Sequence, residues 1–141
     1  KFFTVEDIFR SCELCRKYGI KYNHSMIFGG PGETIETLAE TIKNIDASDP
    51  DSIIGFVGVR LYPNTPILKD VGIDEVGIEP EFYLSPAVKD KIVDYLLDVC
   101  ATHKNWIVPG LEKGVNMKLF ERMRKKGIKG QLWELMKSWS R

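Results

Sequence analysis

Apolar residues near the start of the chain recur with a helical period. Val5, Ile8, Phe9, Cys12 and Cys15 fall on one stripe. Thr4 stands before them as a cap, with Glu6 and Asp7 in the first turn where carboxylates face the positive end of a helix dipole, and the spacing predicts a helix ending near Gly19. The period then changes. "GIKYNHSMIF" places Ile20, Tyr22, Met26, Ile27 and Phe28 in a run that favours extended backbone, and a glycine cluster stops it, which predicts a strand. Helical spacing returns with Ile35, Leu38, Ile42 and Ile45, closed by Asp49-Pro50. "DSIIGFVGVRLYP" is apolar at nearly every position, as in a strand buried on both faces of a parallel sheet. Two strands joined by a helix form a βαβ unit, expected to be right-handed and to belong to a doubly wound sheet or an α/β barrel.

Beyond Pro63 the alternation gives way to Pro, Gly and Asp. "PNTPILKDVGIDEVGIEPEFYLS" reads as a long loop with a helical turn around Pro66 to Val71, and loops of that length in compact domains usually carry function. Ser85-Pro86 has the form of a cap and a first-turn proline for a helix bearing Val88, Ile92, Tyr95, Leu96 and Val99. "NWIVPGLEKG" reads as irregular, and the tail as two short helices broken at Gly127 to Gly130. The expected division is a partial α/β barrel over residues 1–75 and a loop with an α-helical tail over 76–141.

A chain of 141 residues is long enough for one core. Twenty basic and twenty acidic residues cancel, so no global field draws in nucleic acid or an anionic membrane. The sharper reading of Trp106, Trp133, Trp139 and Phe120 beside the basic residues Lys118, Arg122, Arg124, Lys125 and Lys126 is a nucleic-acid surface. With zero net charge and helical spacing, they read instead as apolar anchors for the tail. No apolar run reaches the roughly 20 residues that span a bilayer, and a cytoplasmic location is expected. The chain opens on Lys1 rather than Met, inside an apparent first helical turn, and is expected to be a piece of something longer.

Cys12, Cys15 and Cys100 are odd in number, which argues against a disulfide framework. "CELC" has the spacing of redox and metal sites, yet both cysteines lie on the helical stripe with no second Cys/His pair nearby, so small buried thiols are the preferred reading. His24 reads as a satisfied core residue rather than a ligand, and His103 as a cation at a helix end.

The densest chemistry lies at "HSMIFGGPGET", where Gly29, Gly30 and Gly32 mark the turn from strand to helix. Glycines there let a ligand approach the main chain, and the free N–H groups of the helix start attract a carboxylate or phosphate. Capping by Glu33 and Thr34 is the competing reading. The stretch lacks the Gly-Lys-Ser/Thr ending of a Walker loop and does not match G-x-G-x-x-G.

"IFGGPGETIETLAETI", followed one βαβ unit later by "IIGFVGVRLYPNTPI", resembles the later part of the radical S-adenosylmethionine (SAM) barrel, especially in enzymes with a cobalamin-binding domain. In that family the fifth strand ends in a G-x-I-x-G-x-x-E segment lying along the adenosine of SAM. Ile27 and Gly29 match its isoleucine and second glycine, whereas Ser25 replaces the first glycine and Glu33 comes one position late. "NWIVPGL" and "GIKGQLWE" resemble the tail of cobalamin-type members more weakly. The resemblance implies an incomplete TIM-like barrel in which Ile27, Phe28, Gly29 and Gly30 contact the SAM adenosine. Arg60, at the mouth end of the second strand, is expected to meet the SAM carboxylate, a substrate anion or a neighbouring helix.

The family's chemistry is one-electron cleavage of SAM at a [4Fe–4S] cluster to a 5′-deoxyadenosyl radical, then hydrogen abstraction or methyl transfer. The cluster needs three cysteines, usually as C-x-x-x-C-x-x-C, and no such triplet occurs here. The resemblance therefore implies a piece that is inert alone, with the cluster and any cobalamin held by the remainder of the parent barrel and the substrate unidentified. A second expectation is a non-catalytic α/β module holding an anion or nucleotide at "GGPGET". A half-barrel also exposes strand edges, which predicts self-association or partner binding.

Overall fold

The computed structural model describes residues 2–109, 111, 122 and 124–130. Helix α1 (Val5–Lys17) leads to strand β1 (Asn23–Phe28), helix α2 (Ile35–Ala47) and strand β2 (Ser52–Val57). Strand β3 (Val59–Leu61), the short helix α3 (Ile67–Asp70), strand β4 (Glu81–Tyr83), helix α4 (Ile92–Thr102) and strand β5 (Trp106–Ile107) follow. Among the described residues the fold is mixed α/β with two sheets: a parallel one in the order β1-β2-β5 and an antiparallel ribbon of β3 and β4. No helix of the described residues is long and apolar enough to cross a membrane.

The first two helices start as their sequences dictate. Thr4 and Asp7 form a reciprocal capping box, the Thr4 N–H donating to Asp7 Oδ2 at 2.9 Å and the Asp7 N–H to Thr4 Oγ1 at 3.3 Å. Thr34 and Thr37 do the same for α2. The helix ending near Gly19 closes at Tyr18, with Gly19 at φ 64°.

One face of the parallel sheet carries the core. Phe28 from β1 and Ile53 from β2 pack with Leu38, Ile42 and Ile45 of α2 and with Ile92, Leu96 and Val99 of α4. Trp106 of β5 closes the cluster, its ring stacked on Phe28 at 6.0 Å between centroids.

Several expectations change. The apolar run Ser52 to Leu61 is two strands, because Gly58 adopts φ 86° and turns the chain out of the parallel sheet into the ribbon. A Cβ at Gly58 would stand 3.2 Å from the Tyr83 carbonyl, so the close backbone approach also calls for glycine. The long loop contains the expected helical turn but also β4, and "NWIVPGLEKG" contains β5 rather than being wholly irregular. Ser85 does not cap α4: its hydroxyl donates to the Glu33 carbonyl at 2.8 Å, and the regular helix begins only at Ile92. The β3–β4 and β2–β5 pairings join residues on either side of position 75. In the tail, a short helical turn runs into Gly127 at φ 76°. Phe120, Trp133 and Trp139, with Lys118 and the second tail helix, lie outside the described residues.

Candidate functional site

The glycine corner joins β1 to α2 at the C-terminal end of the parallel strands, the side on which α/β sheets place their ligands. Gly29 sits at φ 87° and Gly32 at φ 78°. The main-chain groups of the corner are answered from within the chain. Glu33 Oε2 accepts from the Gly29 N–H and, at 3.2 Å, from the Gly30 N–H, while Thr34 caps the helix. Ser85 fastens the corner from the other side, its N–H donating to the Gly29 carbonyl at 2.8 Å. The capping reading of Glu33 and Thr34 thus describes the geometry.

Ile27 and Phe28 are split by the pleat of β1. Phe28 turns its ring into the core at 0% exposure. Ile27 faces the opposite side of the sheet, is 59% exposed, and stands in register with Phe56 of β2, which is 48% exposed. Cross-strand partners lie about 5 Å apart at Cβ, so the two side chains form one open apolar surface next to the corner. This face is not covered as a continuous apolar run predicts. Sequence reading missed Phe56, because only the register places it beside Ile27. Gly29 lies buried beneath Leu84, and Gly30 is half-buried against Val59.

Arg60 lies on the ribbon rather than on a strand of the parallel sheet. Its guanidinium stacks over the Tyr62 ring at 4.8 Å. The kink at Gly58 places Arg60 in a different sheet from Phe56, although the sequence reads these two on one strand.

His24 is hydrogen-bonded as expected, but it is half-buried and lines an open cleft between α1 and β1 rather than the core. The Ser48 hydroxyl spends its proton on the Ile45 carbonyl at 2.6 Å, so its oxygen accepts from His24 Nε2–H at 2.9 Å. Cys12 Sγ lies 3.7 Å from the same nitrogen and is buried as expected, whereas Cys15 is only half-buried. Arg16 and Tyr22 complete the junction, each donating to the Ser48 carbonyl at 2.6 Å. Burial pushes the His24 imidazole below its ordinary value near 6.5. The unfolded chain therefore takes up a proton before the folded one does, and stability present above about pH 6.5 is lost as the pH falls through the folded value. Melting wild type and His24→Gln between pH 7.5 and 5 is expected to show a smaller acid loss for the variant. His103 ends α4 as expected, with Nδ1 3.0 Å from the Val99 carbonyl and Nε2 3.1 Å from Asp46 Oδ2.

The donor set does not fit an iron–sulfur cluster. Among the described residues no three His, Cys, Asp or Glu side chains gather at ligand spacing.

No family model matches the chain, and neither does any curated protein. A search of solved structures finds a likeness to the radical SAM methyltransferase TsrM from Kitasatospora setae, whose structure was determined with cobalamin and a [4Fe–4S] cluster bound. The TM-score is 0.73 at 21% sequence identity, over 98% of this chain and 33% of that one. The chain thus spans about a third of the length of the protein it resembles, and the likeness establishes a shared fold.

Proposed function

We propose that this chain is the C-terminal part of a radical SAM barrel and that it supplies part of the wall against which the adenosine of SAM lies. The observation that carries the reading is the exposed pair Ile27 and Phe56, in register at the C-terminal ends of two parallel strands. In this reading Ile27 and Phe56 hold the purine by apolar contact, beside a corner whose own main-chain groups are engaged within the chain. Arg60 and the loop after Pro63 border the substrate side. The cluster, and the cobalamin seen with the solved relative, belong to the remainder of the parent protein, where bound SAM supplies the radical or methyl group. The present chain binds and orients but carries no step of the reaction by itself.

The internal engagement of Gly29 and Gly30 by Glu33 favours this reading over a module that holds a phosphate at the corner. Calorimetric titration with SAM, S-adenosylhomocysteine and ATP tests it. The two adenosyl ligands are expected to bind in the millimolar range, with affinity reduced at least about fivefold by Ile27→Asp, a loss of about 1 kcal/mol. Binding of ATP with no response to either adenosyl compound overturns the proposal.

A further inference from the structure

Residues 59–83 leave the parallel sheet at Gly58 and rejoin the body of the protein at Leu84, and between these points they are tied to themselves. The β3–β4 ladder, the turns around α3, the Thr65 hydroxyl on the Tyr62 carbonyl, the Gly77 N–H on the Glu81 carboxylate and the stacking of Arg60 on Tyr62 are all internal. Among the described residues, no hydrogen bond, ion pair or ring contact of this segment reaches the rest of the chain. Its buried side chains, Leu61 and Leu68, stand outside the core cluster. The fastenings lie just beyond its two ends. The Gly58 N–H donates to the Phe28 carbonyl and the Ser85 N–H to the Gly29 carbonyl, each at 2.8 Å, and Leu84 packs against the core. Both stems therefore stand on consecutive residues at the end of β1. They also stand side by side, since a Cβ at Gly58 would come within 3.2 Å of the Tyr83 carbonyl. A self-contained piece on two adjacent stems has one easy motion, rotation about the line that joins them. Gly58 forms one stem, and without a Cβ its dihedrals change at little cost.

From this attachment we infer that residues 59–83 are a lid, hinged at Gly58 and at the Tyr83–Leu84 junction, which closes over the Ile27–Phe56 surface. Phe56 precedes the first hinge by two residues, and Ile27 precedes Phe28, whose carbonyl holds that hinge, so the hinge line borders the surface. Apolar side chains stand open on both sides of it. On the lid, Tyr62 and Phe82 flank Arg60 and are each more than half exposed. On the sheet, Ile27 and Phe56 are open in the same way. Closure removes apolar area from water on both faces at once, which supplies its driving force. Stems, lid and surface all belong to this chain, so the motion needs no other part of a barrel. Its use rests on the adenosine reading: a lid closed over bound SAM shields the ligand from water.

NMR relaxation dispersion on the whole, ligand-free chain reads such a motion in the microsecond-to-millisecond range. The amides of residues 59–83 and the methyl groups of Ile27 are expected to exchange at one common rate, while the methyl groups of Ile53, buried in the core, give flat profiles. The double variant Tyr62→Ala with Phe82→Ala trims only exposed side chains and is expected to lower the closed population at least about threefold. Saturating S-adenosylhomocysteine is expected to abolish the dispersion by holding the lid shut. Flat profiles across the lid, several unrelated rates within it, silent Ile27 methyl groups, or a closed population unchanged in the double variant overturns the inference. So does dispersion that persists once S-adenosylhomocysteine is bound. A lid that moves as described in a chain that binds no S-adenosylhomocysteine would sink only the adenosine reading.

Discussion

Replacing Phe28 by alanine is expected to destabilise the protein by about 4 kcal/mol and to lower its melting temperature by roughly 10–15 °C. The ring is fully buried, stacks on Trp106, and joins the cluster formed by α2, α4 and the parallel sheet. It also lies directly over Gly55, where a Cβ would meet the ring at 2.9 Å, so the backbone already approaches the ring as closely as it can. A hole at that place has rigid walls and collapses little. The neighbouring residue behaves differently: Ile27→Ala removes a largely exposed side chain and is expected to cost no more than about 1 kcal/mol. Thermal unfolding of the two variants side by side measures the contrast. Equal losses would mean that the pleat of β1 does not divide core from open face at this point.

Gly29→Ala is expected to cost about 3 kcal/mol, from two separable causes. Gly29 holds φ 87°, where any Cβ is strained, and a Cβ built there overlaps Leu84 Cδ1. The second cause can be removed by trimming Leu84 to alanine, while the first cannot. A double-mutant cycle is therefore expected to show favourable coupling of about 1 kcal/mol, leaving a residual penalty for the backbone angle. Gly30 has no positive φ and only Val59 Cγ2 at 3.8 Å, so Gly30→Ala should be tolerated. A neutral Gly29→Ala would contradict the described corner. Denaturant unfolding resolves all four variants.

Elements with a local signal were readable from the chain. Helix α1 announces itself by Thr4 and the stripe through Cys12, β1 by its β-rich run and glycine stop, and α2 by Ile35 to Ile45. What escaped depends on partners far away in sequence. The apolar run from Ser52 to Leu61 has the composition of one strand, and only the pairing of β3 with β4 shows why Gly58 must bend it. Strand β5 has two residues, too short for any periodicity, and exists because Trp106 and Ile107 align with Ile53 and Ile54. Ser85 has every local mark of a cap, yet its hydroxyl is better used on the Glu33 carbonyl. The candidate site divides in the same way. The glycines and Ile27 stand out in sequence, whereas Phe56 joins them through register, and the kink that sends Arg60 onto the ribbon leaves no periodic trace.

The carboxylate of Glu33, bound to the Gly29 and Gly30 amides, means that the corner already holds its own anion. A phosphorylated nucleotide brought to this turn would meet a resident negative charge and would have to displace it. A nucleoside presenting a neutral rim meets no such opposition.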